Sequence, residues 1–199
     1  MHFRMSEIYK KHILDCSKIS MIFDYGKRKM MKFCATLIAV KDMDKSLKFY
    51  KDLFNQDVIM DLGKNKTLTC GLVLQQDLDS IAGFDADTMK FRSNTMELYF
   101  ETEDFDGFIR LLDSYPQVER LHEPRMFEWL QRGIHIFDPD GHLIEISESM
   151  YSVACKQFKA GKTIEETVKL VQHPIEVVQG WYEEYQKTIL DTEKNDERL

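Results

Sequence analysis

The chain has no run of the ~18 consecutive apolar residues that a membrane span requires. Near its start Glu7, Asp15 and Lys18 interrupt any apolar stretch, so no signal peptide is read there. An excess of positive charge is missing as well. Lys and Arg number 27 against 34 Asp and Glu, a formal net charge of −7. That balance argues against wholesale binding to nucleic-acid phosphates, which needs clustered cations. The four cysteines, Cys16, Cys34, Cys70 and Cys155, form no CxxC pair and have no histidine at zinc-finger spacing. Cys34 and Cys70 sit in apolar, strand-like stretches, and buried reduced thiols in a cytoplasmic protein are expected. There is no phosphate-binding glycine loop and no serine-hydrolase elbow.

What remains is an ordinary globular composition: 199 residues, 43% hydrophobic and 31% charged. That length suits one domain with appendages. Residues 1–30 have weak apolar patterning and end in the basic run Gly26-Lys27-Arg28-Lys29 before Met30 and Met31. The codons for that run would be purine-rich, as a ribosome-binding site is. The expectation is an N-terminal extension from a mis-assigned start, with translation beginning at Met30 or Met31. A short helix over residues 6–16 that packs on the domain is the competing reading.

From residue 31 the pattern strengthens. Residues 33–40 read as a buried strand. Asp42 caps a helix with Met43, Leu47, Tyr50 and Leu53 on one face, and Asn55 ends it. Strands follow over 57–62 and 67–75, the second broken at Gly71. The order then recurs: strand 96–102, a helix capped by Asp104, strand 117–122, strand 133–137, the turn Asp138-Pro139-Asp140-Gly141, and strand 142–147. Two βαβββ modules, about 31–76 and 95–149, are therefore expected to form one α+β domain over residues 31–149. Two such sheets, each with an apolar face to cover, fold against one another and leave a cleft. Residues 77–94 between them read as a short helix and loop, either a connector or a lid. Residues 150–190 read as a helical appendage. Thr163 and Glu166 make a capping box, and Pro174 stands at the first turn of the last helix. That helix carries Glu176, Glu183 and Glu184 with only Lys187 in opposition, the wrong charge for a DNA-groove reader. Packing on the domain or on a partner subunit is favoured, and residues 191–199 read as a charged tail.

The stretch from Thr36 to Tyr50, containing Val40-Lys41-Asp42-Met43-Asp44-Lys45-Ser46-Leu47, resembles the opening of the vicinal-oxygen-chelate superfamily. That superfamily includes glyoxalase I, extradiol dioxygenases, and bleomycin- and fosfomycin-resistance proteins. Asp138-Pro139-Asp140-Gly141 with Glu145 resembles its closing hairpin. Glu97-Leu98-Tyr99-Phe100-Glu101 and the C-terminal helices look like a bacterial, mostly Firmicute, glyoxalase-like subgroup.

The resemblance implies a cavity for a small molecule and a homodimer. It further implies a divalent metal (Mn, Fe, Ni, Zn or Mg) held by the first and last strands of each module. Carried over by position, Glu145 matches a ligand in type, Glu97 stands where His is usual, and Gln75 is a weaker third. Ala35 occupies the fourth position and cannot ligate. Three readings stay open: metal binding by Glu97, Glu145 and Gln75; proton chemistry between two inward carboxylates without metal; and neither, with Glu97 solvated and Glu145 paired to Arg132. His135, mid-strand, faces either the cleft or the packing. His142 in the turn is expected to be solvated. Tyr99, Phe127 and Trp129 line a pocket or belong to the core. The function expected is metal-assisted lyase, isomerase or dioxygenase chemistry catalysed by Glu97 and Glu145, or sequestration of an antibiotic or metabolite without catalysis.

Overall fold

Asp42 and Asp104 start the two module helices as capping residues. The Asp42 carboxylate accepts from the Lys45 N–H at 3.1 Å, and that of Asp104 from the Gly107 N–H at 2.8 Å. In the computed structural model, which describes residues 31–196, these helices are α1 (Met43–Phe54) and α3 (Phe105–Asp113). Asn55 closes α1 in the left-handed conformation, φ 51°, a backbone state that Asn tolerates. The expected N-terminal extension and helix over residues 6–16 lie outside the described residues, as do residues 197–199.

Each module forms one four-stranded mixed sheet. In the first the order is β1 (Leu37–Ala39), β4 (Val73–Gln75), β3 (Asn65–Leu68), β2 (Val58–Asp61). In the second it is β5 (Glu97–Thr102), β8 (Leu143–Glu148), β7 (Arg132–Phe137), β6 (Arg125–Met126). The outer strand leads into its helix and pairs parallel to the last strand of the module, and the other pairs are antiparallel. The α+β class and the duplicated order therefore stand. One strand does not: residues 117–122 contribute only an Arg120–Ile136 bridge, and the pairing resumes at β6. Pro116 and Pro124 flank this segment and offer no N–H to a ladder. It is held to β7 by the Phe137 N–H to Glu119 O (2.9 Å) and the Leu121 N–H to His135 O (2.8 Å).

From Ala35 onward the described residues form one compact unit. Its main core draws on both modules, with Ile38, Tyr50, Leu53, Leu68 and Leu74 from the first and Phe105, Leu112, Ile134, Ile136, Ile144 and Ile146 from the second. Burying each such side chain contributes roughly 1.5–3 kcal/mol. Helix α1 reaches across to module two. The ring of Phe54 lies 4.5 Å from that of Phe100, and Tyr50 OH donates to Asp138 Oδ2 at 3.0 Å. Asp138 is fully buried, and the backbone N–H groups of Asp140 and His142 and the His142 ring also contact its carboxylate. His142 is thus not solvated; its Nδ1 sits 2.8 Å from Asp138. Burial first, and then the Asp138 charge, push the Tyr50 phenol well above its ordinary pKa, so it stays a neutral donor.

A second apolar cluster joins α4 (Met150–Lys159), α5 (Ile164–Val171) and α6 (Ile175–Asp196) through Val153, Phe158, Val171 and Val178. It packs against Trp129 and Leu130, so the appendage is docked on its own domain. Thr163 and Glu166 form the expected capping box. Helix α6 runs to Asp196, beyond the expected end at residue 190. Cys34 and Cys70 are exposed rather than buried: Cys34 precedes β1, and Cys70 sits in the turn between β3 and β4. Between the modules α2 (Leu78–Ala82) buries no side chain. The end of this connector is anchored to α1's entry and module two: Lys41 Nζ lies 3.9 Å over the Phe91 ring, and Arg92 pairs with Glu119. No helix among the described residues is long and apolar enough to cross a membrane.

Removing one partner of the buried Tyr50–Asp138 pair is expected to destabilise the fold. Tyr50→Phe should cost about 1–2 kcal/mol and Asp138→Ala about 3 kcal/mol or more, since the latter strands several donors. Urea unfolding of the three proteins measures both.

Candidate metal centre

Strands β7 and β8 alternate strictly. Ile134, Ile136, Ile144 and Ile146 face the core and are at most 2% exposed. The intervening residues Gly133, His135, Phe137, Leu143, Glu145 and Ser147 therefore share the opposite face. The register sets His135 directly across from Glu145, and Glu145 across from Tyr99 on β5. Glu97, two residues before Tyr99, shares that face and reaches the pair diagonally.

The result is a cluster in which one ligand atom from each of Glu97, His135 and Glu145 lies within 4.8 Å of the others. His135 Nε2 stands 3.2 Å from Glu97 Oε2 and 3.4 Å from Glu145 Oε2. Exposure is graded, with Glu97 at the rim (42% of its side chain exposed) and His135 and Glu145 largely buried (10% and 12%). Ser147 Oγ donates to Glu145 Oε1 at 2.6 Å, which leaves Oε2 turned to the histidine. On the far side of the ring, His135 Nδ1 lies 2.9 Å from Nε2 of His122.

These donors fit a divalent ion. Bonds of about 2.1 Å to two atoms 3.2–3.4 Å apart subtend about 100–110° at the ion, between octahedral and tetrahedral values. One imidazole with two carboxylates suits Mn²⁺, Fe²⁺ or Zn²⁺ better than an all-oxygen set does. Three protein ligands would leave coordination positions open to a substrate or water.

The other candidate residues distribute as follows. Gln75 lies buried on β4 of the first sheet. Its amide accepts from Asn65 Nδ2 at 2.6 Å and donates to the carbonyls of Lys64 (3.1 Å) and Gln76 (2.7 Å). The sheet registers also relocate the missing ligand. Gln75 pairs with Ala39 as Glu145 pairs with Tyr99, so two residues back along each outer strand Leu37 answers to Glu97. Counting back from the helix caps Asp104 and Asp42 instead sets Ala35 against Glu97, because the stretch from β5 to its helix is two residues longer than that from β1. Leu37 ligates no better than Ala35.

Arg132 shares the parity of Ile134 and points away from the cluster. It pairs with Asp106 (2.8 Å) and Glu148 (3.3 Å), not Glu145, and its guanidinium lies 5.1 Å over the Phe105 ring. Trp129 stacks on Phe127 at 4.9 Å and joins the C-terminal cluster. Tyr99 is half-exposed on the same face as Glu97, and its hydroxyl donates to Glu101 at 2.8 Å. Burial, and then the Glu101 hydrogen bond, raise its phenol far above the ordinary range, so it acts as a neutral hydrogen-bonding group.

Two residues here carry no motif. Gln131, buried beside the left-handed Leu130 (φ 65°), donates to Tyr99 OH at 2.9 Å and to Glu148 O at 2.7 Å, and accepts from Trp129 Nε1 at 2.7 Å. It fixes the phenol from the wall of the site. His122 is the other.

Gly133 gives Ser147 its room. A Cβ there would stand 2.5 Å from Ser147 Oγ and 2.6 Å from Phe127 Cε2. Gly133→Ala is expected to dislodge Ser147 from Glu145 and to destabilise by ~1–3 kcal/mol. Gly180→Ala, on an open helix face, should instead stabilise by about 0.5–1 kcal/mol. Thermal denaturation of the two variants should show Tm shifts of opposite sign.

A family model described as a glyoxalase-like domain matches residues 33–151. Among solved structures, the chain is similar to a protein of unknown function from Agrobacterium tumefaciens, with 29% identity over 62% of this chain and 98% of that one and a TM-score of 0.52. It is also similar to a glyoxalase-related enzyme from Fulvimarina pelagi, at 17% identity over 60% and 89% of the two chains, with a TM-score of 0.50. A fosfomycin resistance protein, FosX, from Listeria monocytogenes shares 22% identity over 61% and 95%, with a TM-score of 0.45. The sequence matches no functionally curated protein.

Proposed function

The chain belongs to the glyoxalase-like domain family, and on that premise we propose that it is a metal-dependent protein acting on a small oxygenated molecule in the face of its second sheet. The observation that carries this reading is the convergence of Glu97, His135 and Glu145 on one point. A divalent ion held by Glu97, His135 and Glu145 would supply Lewis-acid polarisation of a bound oxygen. The chain's own groups do the rest. Glu97, at the exposed rim, is the carboxylate best placed to move a proton between the bound molecule and solvent. Ser147 holds Glu145 in one orientation. The neutral Tyr99 hydroxyl donates to Glu101 and accepts from Gln131, which leaves it one acceptor lone pair for a ligand on the same face. Lyase, isomerase and dioxygenase chemistries all fit a site of this kind.

A sequestering, non-catalytic binder is the second reading. It is favoured by the apolar Leu37 and the internally bonded Gln75, which leave module one without a free ligand at the matching positions. The two readings part on turnover. An enzyme loses catalysis in Glu145→Gln, whereas a sequestering protein binds its ligand stoichiometrically and keeps doing so. The cytoplasm is the proposed location, and a homodimer the proposed assembly. Val58, Ile59 and Met60 are exposed along the edge strand β2, and supply apolar surface of the kind that interfaces cover.

Metal analysis by mass spectrometry, on protein purified without chelator or affinity tag, tests the central point. Near-stoichiometric Mn, Fe, Ni or Zn is expected, lost in Glu97→Ala, His135→Ala and Glu145→Ala. A wild type that stays empty after incubation with these ions rejects the metal reading.

A further inference from the structure

His122 lies in the irregular segment beside β7, outside any motif and outside the cluster of ligands. Its Nδ1 is 2.7 Å from the carbonyl oxygen of Glu123, and its Nε2 is 2.9 Å from His135 Nδ1. A carbonyl oxygen only accepts. His122 Nδ1 must therefore carry the hydrogen, and in a neutral ring Nε2 is then the acceptor. The hydrogen between the two rings consequently belongs to His135 Nδ1. In a neutral His135 ring Nε2 is then left with its lone pair, aimed between two carboxylate oxygens at 3.2 and 3.4 Å.

We propose that His122 is a positioning residue that fixes which nitrogen of His135 faces Glu97 and Glu145, and so turns a histidine into a ligand. This rests on the metal reading of the site. The physical reason is a competition. Two carboxylates beside Nε2 favour the tautomer that carries its proton there, and such a ring donates to them instead of binding a cation. An acceptor at Nδ1 reverses the preference. In His122 the acceptor is a nitrogen whose own state is set by a backbone carbonyl, a group that no side-chain substitution removes. The ring centroids lie 5.0 Å apart, so the contact is made at the ring edges and also limits rotation of His135. The backbone supports the arrangement, because the Leu121 N–H donates to His135 O and holds the segment against the strand it serves.

The test uses the full-length, metal-stripped protein with Mn²⁺ alone, in the wild type, His122→Leu and His122→Gln. The Gln amide oxygen offers an acceptor near the position of Nε2; Leu offers none. Calorimetric titration is expected to show Mn²⁺ binding weakened ~10–100-fold in His122→Leu and held within about threefold of wild type in His122→Gln. NMR of protein labelled with ¹⁵N-histidine gives a second readout that needs no metal. A proton on His135 Nδ1, coupled through the hydrogen bond to His122 Nε2, is expected in the wild type and lost in His122→Leu. Unchanged Mn²⁺ affinity in His122→Leu overturns the proposal. So does a wild-type His135 protonated on Nε2 with Nδ1 bare, a result obtainable even if the Leu variant does not fold. A wild type that binds no Mn²⁺ yet shows the coupled Nδ1 proton retires the metal reading and leaves the orienting role of His122 standing.

Discussion

Everything at the candidate site depends on the register of β8 between β5 and β7. The strand period is two, so a slip of one residue would carry Glu145 and His135 into the core and Ile144 and Ile146 out to the surface. Burial of Ile134, Ile136, Ile144 and Ile146 makes that slip prohibitively costly. The same apolar side chains that stabilise the domain therefore hold His135 and Glu145 opposite one another on the other face. Precision at the site comes from the core behind it, not from contacts among the ligands themselves.

The hairpin that joins β7 to β8 is fixed from a distance. Asp138 is fully buried and sits at the centre of four contacts, one of them to Tyr50 on the helix of the other module. Asp140 accepts from the Lys41 N–H at 3.2 Å at the entry to that helix. Module one thus contributes to the second sheet through its helix. Its own sheet brings no free ligand: Leu37 is apolar, and Gln75 is engaged with Asn65 and two carbonyls. The asymmetry leaves the candidate cluster entirely in module two.

Much of this was legible in the sequence because it is local. Asp42, Asp104 and Thr163 declare helix starts by their own side chains, and the turn at Asp138–Gly141 declares its hairpin. Glu97 and Glu145 were legible through their place in the duplicated order. Arg132 is in phase with Ile134 and so belongs on the core side, whereas His135 is in phase with Gly133 and, across the hairpin, with Glu145. The fourth position carried over to Ala35 falls on Leu37 in the sheet registers, because the two outer strands differ in length before their helices. His122 and Gln131 were not legible. Each acts from an irregular segment whose path is set by tertiary hydrogen bonds to β7 and β8, and no periodicity marks such positions.

On the metal reading, Glu97, His135 and Glu145 together hold one divalent ion. Anomalous diffraction at the manganese edge from crystals soaked in Mn²⁺ tests it most directly. A single strong peak is expected about 2.1–2.2 Å from His135 Nε2 and from one oxygen each of Glu97 and Glu145. A peak held elsewhere, or no peak between these three side chains, would contradict it.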